Sequence, residues 1–371
     1  MKKSIIYIIS NIDKALAFEW IATSLDNDKF KLSFILLNPG PSVLEKFLLE
    51  NKISVSRITY NGKKDFPQAL LKVIKLLKKE KPQVIHCHLF DASMVGLVAG
   101  RIIRVKKNIF TRHHSTLHHV YFPRAVYYDK LINTLATDIV AISGKVKDIL
   151  VQQENVIPAK VTLIPHGFKL DEFYQVEPHR SQALRERYNP KSLRPVIGAI
   201  ARYTHWKGLQ YTIRAFKKLL PEYPNALLIL ANANGDYKVA IQELLLGIPK
   251  SNYQEIVFEP DVMALYQLFD VFVHVPIDDH SEAFGQTYIE ALAAGIPAVF
   301  TLSGVANEFI RHKENAYVVP YQDADAIYAG MLELIRNKEL RNNIISQGRR
   351  DVAAQFNLPV MIGALEALYN A

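Results

Sequence analysis

The sequence has very little cysteine and no long apolar segment. Its single cysteine, Cys87, cannot form a disulfide within the chain, so a reducing compartment is expected. No apolar run approaches the roughly 20 residues that a membrane-spanning helix needs. The apolar stretch at residues 4–10 follows two lysines but is short and ends at Asn11 without a small-residue cleavage site. We interpret it as a first β-strand and expect a cytoplasmic protein.

The sequence also lacks an excess of acidic residues. It contains 45 Lys and Arg against 36 Asp and Glu, a net charge of +9, and its 49% hydrophobic content excludes a disordered chain. Residues 1–180 carry a net charge of +11, whereas residues 181–371 carry −2. This asymmetry predicts an acidic partner for the first half: nucleic acid, an anionic membrane or a phosphorylated substrate. A lysine-rich surface without a partner is the alternative.

Short β-rich runs alternate with amphipathic stretches along the chain, which indicates βαβ units on parallel sheets. Such a number of strands favours two doubly wound sheets over one open sheet. A proline-bearing, charged stretch at residues 176–195 is the predicted linker, and residues 338–371 are predicted to be helical. The predicted strands are 4–10, 31–37, 53–59, 83–88, 108–114, 138–143 and 160–167, then 195–202, 225–232, 253–258, 270–275, 297–301 and 316–320.

The strongest motif is SEAFGQTYIEALAAGIPAVFT at residues 281–301, which contains Glu282 and Glu290. A helix is predicted over residues 286–294, with Gly295 at its C-cap. The first amides of this helix would be free to bind a phosphate, and they belong to Gly285, Gln286 and Thr287. The two carboxylates could accept hydrogen bonds from sugar hydroxyls, or both could be solvated.

This motif resembles the signature of glycosyltransferase family 4, a group of retaining enzymes that use nucleotide sugars. The resemblance rests on Glu282, Phe284, Gly285 and Glu290, and on the ALAAGIPAV sequence that follows. It implies that Glu282 orients the donor sugar and that Glu290 binds the ribose. It also implies that the segment from Phe284 to Thr287 contacts the nucleotide.

A second match is AIARYTHWKGL at residues 199–209, where Arg202 ends a strand and Lys207 precedes the next helix. Two cations at a strand end can neutralise a diphosphate and the charge of a leaving group. Two unrelated surface cations are the alternative. The resemblance assigns the phosphate-binding pair of the family to Arg202 and Lys207. A third match is IPHGF at residues 164–168, in which His166 replaces the asparagine of the family.

Histidines cluster after the strands of the first half, at positions 86, 88, 113, 114, 118 and 119. A zinc site would need three or four of them to converge, and a buried, hydrogen-bonded histidine is the alternative. The resemblance places His113 near the donor sugar and the acceptor, with His114 as the adjacent alternative. Asp323 and Asp325 begin a predicted helix, so N-capping is favoured over metal binding. The resemblance implies that cationic side chains take the place of a metal, so we predict no metal and no other cofactor.

The resemblance implies an α/β protein of the GT-B fold, with two Rossmann-like domains that face each other across a cleft. We predict an acceptor-binding domain at residues 1–185 and a nucleotide-sugar-binding domain at 186–355. A C-terminal helix, residues 356–371, is predicted to pack back on the N-terminal domain. The implied reaction is transfer of a sugar from a UDP- or GDP-sugar to a glycan acceptor with retention of configuration. Catalysis is assigned to Glu282, Arg202, Lys207 and His113.

The surplus charge of the first half suggests where the acceptor is found. Residues 72–81 form a lysine-rich amphipathic stretch, and a second cationic cluster follows at residues 101–107. Basic amphipathic helices bind anionic membranes, although a solvated helix face is the alternative. We predict a lipid-linked acceptor, a role in cell-surface polysaccharide synthesis, and a peripheral enzyme at the inner face of the plasma membrane.

Two other classes of protein remain open. A nucleotide-sugar epimerase can share the two-domain fold, but it would turn over donor without an acceptor and lacks this pair of glutamates. A non-catalytic sugar-binding protein would be exported. Nucleic-acid binding is not expected, because the basic half contains no recognisable nucleic-acid-binding domain.

Overall fold

The computed structural model describes residues 2–371, which form two units. The first unit contains the residues up to Phe168 together with Leu358–Ala371, and the second contains Lys169–Asn357. The charge asymmetry follows these units: the first has 25 Lys and Arg against 14 Asp and Glu, a net charge of +11. No helix among residues 2–371 combines the length and apolar character needed to cross a bilayer.

The first unit is built on a seven-stranded parallel sheet in the order β3-β2-β1-β4-β5-β6-β7. The central strand β1 pairs with β2 on one side and β4 on the other, so the strand order reverses there. In such a sheet the ligand site is expected beyond the carboxyl ends of the strands at this switch point. The strands are β1 Lys3–Ser10, β2 Phe30–Asn38, β3 Ser54–Thr59, β4 Val84–His88, β5 Lys107–Arg112, β6 Asp138–Ala141 and β7 Val161–Leu163.

Helices connect these strands, and their buried apolar side chains cover the sheet, as in other parallel sheets. They are α1 Leu16–Ser24, α2 Val43–Glu50, α3 Phe66–Glu80, α4 Phe90–Ile102, α5 Leu117–Tyr121, α6 Ala125–Leu135 and α7 Gly144–Asp148.

The second unit repeats the plan with six parallel strands in the order β10-β9-β8-β11-β12-β13, so its switch point lies between β8 and β11. The strands are β8 Val196–Ile200, β9 Leu227–Ala231, β10 Tyr253–Ile256, β11 Val271–His274, β12 Ala298–Phe300 and β13 Tyr317–Val318. The helices are α8 Asp171–Tyr174, α9 Pro178–Tyr188, α10 Leu209–Leu219, α11 Lys238–Leu245, α12 Val262–Tyr266, α13 Gln286–Ala294, α14 Ala306–Phe309, α15 Ala324–Arg336 and α16 Lys338–Gln355.

All thirteen predicted strands overlap an observed strand, and the α/β prediction is confirmed. Helices α5 and α6 had no predicted counterpart. The reason is visible in α6, which buries the polar Asp129 and Asn133 beside Ile132 instead of an apolar stripe. A helix that buries polar side chains shows no 3.6-residue hydrophobic period in the sequence.

The stretch predicted as a linker, residues 176–195, is largely helical and belongs to the second unit. Pro178 is the first residue of α9, where a proline starts a helix without disrupting it. Arg180 donates to both carboxylate oxygens of Asp261 at 2.8 and 2.6 Å, which ties α9 to the start of α12. The first unit therefore ends at Phe168, before the predicted boundary at residue 185.

The C-terminal helix α17, Leu358–Asn370, is separated in sequence from its unit but packs within it. Lys3 donates to the carbonyl of Tyr369 at 2.8 Å, and Lys107 donates to that of Leu368 at 2.5 Å. The two lysines thus supply hydrogen bonds to carbonyl groups that have no partner within the last turn of the helix. The Tyr369 hydroxyl lies 2.5 Å from that of Tyr7 on β1 and 2.9 Å from Nδ1 of His86 on β4. Burial lowers the pKa of His86 to about 3, so the imidazole in this buried series of hydrogen bonds is neutral.

Tyr369→Phe is expected to lower the free energy of unfolding by about 1–3 kcal/mol, because it leaves two buried polar groups without their partner. Chemical denaturation of the full chain measures the change. Tyr127, which is 78% exposed, provides the control: Tyr127→Phe should change stability by no more than about 0.5 kcal/mol. Equal effects of the two variants would show that the buried hydroxyl chain does not contribute to stability.

Candidate active site

The ends of β8 and β11 lie side by side in the second unit, and each is followed by a predicted functional residue. Lys207 ends a 3-10 turn, His205–Lys207, that follows β8. The next residue, Gly208, has φ 72° and starts α10. A Cβ atom there would lie 1.8 Å from the carbonyl oxygen of Val275, just past β11. Only glycine therefore allows the turn that carries Lys207 to approach this strand end.

Glu282 is the centre of a buried cluster at this position. Its Oε1 lies 2.5 Å from Lys207 Nζ and 3.1 Å from His274 Nε2. Its backbone amide donates to Ser303 Oγ at 3.0 Å. Burial raises the pKa of Glu282, but the Lys207 charge and the His274 hydrogen bond outweigh burial and hold it at about 2. The predicted residues Glu282 and Lys207 are thus a directly paired carboxylate and ammonium.

His274, the last residue of β11, is a member of this cluster that sequence reasoning did not identify. Burial lowers its pKa despite the neighbouring Glu282 carboxylate. An ionised carboxylate only accepts hydrogen bonds, so the neutral imidazole donates its Nε2–H to Glu282. The signal in the sequence was a lone histidine in the apolar run DVFVHV, at the point where the strand ends.

Helix α13 begins at Gln286 and ends at Ala294, and Gly295 caps it with φ 73°, as predicted. None of the side chains that the structure describes caps its N-terminus. Within residues 2–371 the amides of Gly285, Gln286 and Thr287 have no hydrogen-bond partner, and neither does the buried Thr287 hydroxyl. Phe284 is buried and packs on Phe356 with ring centroids 5.9 Å apart, so its ring anchors the loop. Unpartnered donors at a helix N-terminus are able to bind an anion.

Glu290 lies one turn into the same helix and is half-buried. Tyr266 donates a hydrogen bond to its Oε2 at 2.9 Å. Burial raises the pKa of Glu290 to about 7, although the Tyr266 hydrogen bond lowers it. The two glutamates of the motif therefore differ, because Lys207 pairs with Glu282, whereas no cation of residues 2–371 forms an ion pair with Glu290.

Arg202 lies two residues beyond the end of β8 and is exposed. Its side chain makes no ion pair or hydrogen bond with any residue of the range 2–371. Lys207 is already paired with Glu282. Of the two predicted cations, Lys207 is thus paired with Glu282, whereas the Arg202 guanidinium is available to a ligand.

Three histidines meet at the carboxyl edge of the first sheet. His88 Nδ1 and His113 Nε2 are 3.1 Å apart. The rings of His113 and His166 are stacked, with their centroids 5.7 Å apart. Burial lowers the pKa of all three, that of His166 to about 4. The structure thus joins His113 to the histidine of the IPHG turn, and all three imidazoles are neutral.

Three further histidines of the first unit, at positions 114, 118 and 119, contact a buried ion network around Arg112, which is 2% exposed. Arg112 Nη2 lies 3.2 Å from Asp129 Oδ2 and 2.5 Å from Glu154 Oε1. Its Nε donates to the carbonyl of His114, which ties the loop after β5 to the network. His114 and His118 contact Asp129, and His119 contacts Glu154. The ligand atoms of His114, His118 and Asp129 lie within 4.8 Å of one another, close enough to hold a metal ion, although Asp129 is already paired with the Arg112 guanidinium.

Asp323 caps α15 by accepting from the amides of Asp325 and Ala326, both at 2.9 Å. Asp325 pairs with Lys218. The N-capping interpretation of this Asp-Ala-Asp sequence is confirmed.

Two sequence families match this chain. The family described as "Glycosyl transferases group 1" matches residues 181–351, and "Glycosyltransferase Family 4" matches residues 21–172. Together they cover most of both units, and the strand-end cluster around Glu282 lies within the first match.

Characterised relatives are similar over most of their length. The capsular polysaccharide biosynthesis glycosyltransferase CapM of Staphylococcus aureus is 29% identical over 82% of this chain and 80% of its own. The Escherichia coli UDP-Gal:alpha-D-GlcNAc-diphosphoundecaprenol alpha-1,3-galactosyltransferase is 21% identical over 93% and 90%. The alpha-monoglucosyldiacylglycerol synthase of Acholeplasma laidlawii is 24% identical over 82% and 80%.

Among solved structures, Anabaena HepE in complex with UDP and glucose matches all of both chains with a TM-score of 0.86 and 18% identity. This likeness shows the fold, which is that of the GT-B glycosyltransferases. The matches to both sequence families, together with the named relatives, establish that the chain belongs to the group 1, family 4 glycosyltransferases and is a transferase enzyme.

Proposed function

We propose that the protein transfers a sugar from a UDP- or GDP-sugar to a lipid-linked glycan acceptor with retention of anomeric configuration. The observation that carries this proposal is the Lys207–Glu282–His274 cluster, which presents an ionised carboxylate and an ammonium beside the unpartnered amides of α13. The HepE structure contains UDP and glucose, which supports a nucleotide-sugar donor. The names of the E. coli and Acholeplasma relatives support an acceptor attached to a lipid.

In this proposal the second unit binds the donor. The amides of Gly285, Gln286 and Thr287 and the Thr287 hydroxyl receive a phosphate, and Arg202 supplies a second positive charge. Lys207 can donate to the departing diphosphate without leaving Glu282, because an ammonium group has three donors. The Glu282 carboxylate accepts from hydroxyls of the donor sugar. Placing fixed charges where negative charge develops is the main source of catalysis for such a reaction.

The first unit is proposed to bind the acceptor, and His113 at the carboxyl edge of its sheet is proposed to contact it. Lys72, Lys75, Lys78 and Lys79 of α3 are exposed and form no ion pair within residues 2–371, so they can contact an anionic membrane surface. In the second cationic cluster, Arg101 donates to the carbonyl of Leu135 at 2.6 Å, and Lys107 is bound to α17. We propose a peripheral enzyme at the cytoplasmic face of the membrane, with α3 providing most of the charge.

A panel of nucleotide sugars in a thermal-shift assay tests the donor proposal. At least one UDP- or GDP-sugar is expected to raise the unfolding temperature, and NMR of the product then reports the anomeric configuration. No stabilisation by any nucleotide sugar would contradict the proposal. Turnover of the donor in the absence of any acceptor would favour an epimerase instead. Co-sedimentation with anionic vesicles at low and high salt tests membrane association.

Sugar transfer is expected to continue in EDTA, because we propose that Lys207 and Arg202 provide the positive charge for the diphosphate. The structure offers two groups that could hold an ion instead, and in each the ligand atoms lie within 4.8 Å of one another. One is His114, His118 and Asp129 in the first unit, and the other is Asp278, Asp279 and His280 in the loop that leads to Glu282. Loss of activity in EDTA and its recovery with Mg²⁺ or Mn²⁺ would contradict the prediction. Asp278→Asn would then show whether this loop holds the ion.

Donor affinity is expected to fall below about pH 7, the pKa to which burial raises Glu290. The ribose diol donates hydrogen bonds, so it requires the carboxylate, and protonation should weaken binding about tenfold for each pH unit below that value. Calorimetric titration with a nucleotide sugar measures this, because its esterified phosphates have no titratable proton in this range. Glu290→Gln should bind more weakly and with a flat profile. A wild-type affinity independent of pH would contradict the role of Glu290.

A further inference from the structure

The first unit contains a groove that none of the predicted site residues occupies. Its volume is about 860 Å³, within the ~300–1,000 Å³ range of small-molecule sites. Phe66, Phe90, Met94, Phe122, Ala125 and Tyr128 supply most of the apolar lining. Aromatic rings around the groove contact one another edge to face. The ring centroid of Phe90 lies 6.1 Å from that of Tyr128 and 5.7 Å from that of His118. An aromatic-lined groove of this size fits an apolar ligand.

The groove lies at the carboxyl edge of the first sheet. Phe66 begins α3, which follows β3, and Phe90 begins α4, two residues after the end of β4. Helices α5 and α6 follow β5 in the same way. In a parallel α/β sheet each of these connections starts at the carboxyl edge, where ligands bind. Lys78, Lys79 and the 101–107 cluster lie at the opposite ends of α3 and α4, so their charges are at the amino edge.

The rim of the groove combines exposed apolar side chains with cations. Of the lining residues, Phe122 is 58% exposed and Tyr128 is 49% exposed. Lys63 and Arg124 line the groove, are exposed, and form no ion pair or hydrogen bond through their side chains within residues 2–371. The acidic member of the lining, Asp91, already accepts from Asn11 at 3.1 Å. Two available cations beside an apolar groove are complementary to a phosphate attached to a hydrocarbon chain.

We infer that this groove binds the hydrocarbon chain of the lipid-linked acceptor, with its phosphate against Lys63 and Arg124. This inference rests on the proposed function and adds to it the part of the acceptor that the first unit recognises. The hydrocarbon chain lies among Phe66, Phe90 and Met94, and the partly exposed Phe122 and Tyr128 complete the apolar lining.

Calorimetric titration of the full chain with soluble alkyl phosphates, below their micelle-forming concentrations, tests the inference. Dodecyl phosphate is expected to bind with one-to-one stoichiometry, and octyl phosphate more weakly by about threefold to fourfold for each methylene removed. Inorganic phosphate tests the headgroup alone. Dodecyltrimethylammonium has the same chain with the opposite charge, and it should bind at least about tenfold more weakly than dodecyl phosphate.

Variants then locate the binding. Ala125→Trp fills the groove and should lower the affinity for dodecyl phosphate at least about tenfold. Phe122→Ser, at an exposed position, should lower it without disturbing the fold. Lys63→Gln combined with Arg124→Gln should remove the preference for phosphate over trimethylammonium. Leu246→Trp, at a residue of the second unit that is 84% exposed, is the matched control and should change neither property.

The outcomes separate this inference from the proposed function. Suppose that a nucleotide sugar stabilises the protein but dodecyl phosphate does not bind, or binds the Ala125→Trp variant as tightly as the wild type. The groove then does not hold the hydrocarbon chain of the acceptor. If the protein binds anionic vesicles but not monomeric alkyl phosphate, the groove contacts only the membrane surface and the inference is overturned. A dimer in sedimentation velocity that Phe122→Ser dissociates would make a second copy the occupant, with the same consequence. If no nucleotide sugar stabilises the protein, it is the proposed function that fails.

Discussion

Lys207→Ala is expected to lower kcat for sugar transfer by about 10²–10³-fold, the cost of removing one preorganised electrostatic contact to a developing negative charge. The variant also leaves the buried Glu282 without the ammonium 2.5 Å away. Because that charge helps to hold the pKa of Glu282 at about 2, the pKa should rise when it is removed. Steady-state kinetics with the donor found in the thermal-shift panel measures the loss.

Lys207→Arg is the control, since it keeps the charge but changes its geometry. It should retain more activity than the alanine variant. Glu282→Gln should also lose activity, and the double variant should lose less than the product of the two single losses, because the two residues act as one unit. Unchanged kcat in Lys207→Ala, in a protein that still unfolds at the wild-type temperature, would remove Lys207 from the catalytic assignment.

Arg112→Met is expected to lower the free energy of unfolding by about 3–5 kcal/mol, because it leaves two carboxylates buried without their shared cation. Asp129 and Glu154 both contact the guanidinium, and neither side chain is more than 1% exposed. Denaturant unfolding of the full chain, followed by a probe in the first unit, measures the effect. The same change would release the loop after β5 that carries His113, so activity should fall as well.

The matched control is Arg57→Met, which breaks the partly exposed Arg57–Glu45 pair at 3.0 Å and should cost about 1 kcal/mol or less. Adding Asp129→Asn and Glu154→Gln to Arg112→Met should recover part of the stability, because it removes the unpaired charges. If Arg112→Met were no more destabilising than Arg57→Met, the network would not be the ionised cluster described above.

The sequence predicted the strands well because a strand of a parallel sheet is buried on both faces and appears as a short apolar run. The start and end of α13 were also predictable, since Gly285 and Gly295 mark them through local backbone conformation. Helix α9 lies in the stretch predicted as a linker, because its charged sequence shows no apolar stripe and a proline such as Pro178 often marks the end of an element. Its partner Asp261 lies 81 residues away in the sequence.

By itself, the sequence determined the two series of strands, the charge asymmetry between them, and the motif that contains Glu282 and Glu290. Each of these depends on residues close together in the chain. Only the tertiary structure decided that His274 donates to Glu282, that Arg112 neutralises two buried carboxylates, and that Tyr369 joins β1 and β4. The partners in these contacts are up to 362 residues apart, and burial makes each contact necessary because a polar group removed from water needs a partner. The apolar groove beside Lys63 and Arg124 also required the fold, which brings the starts of α3 and α4 together with α5 and α6.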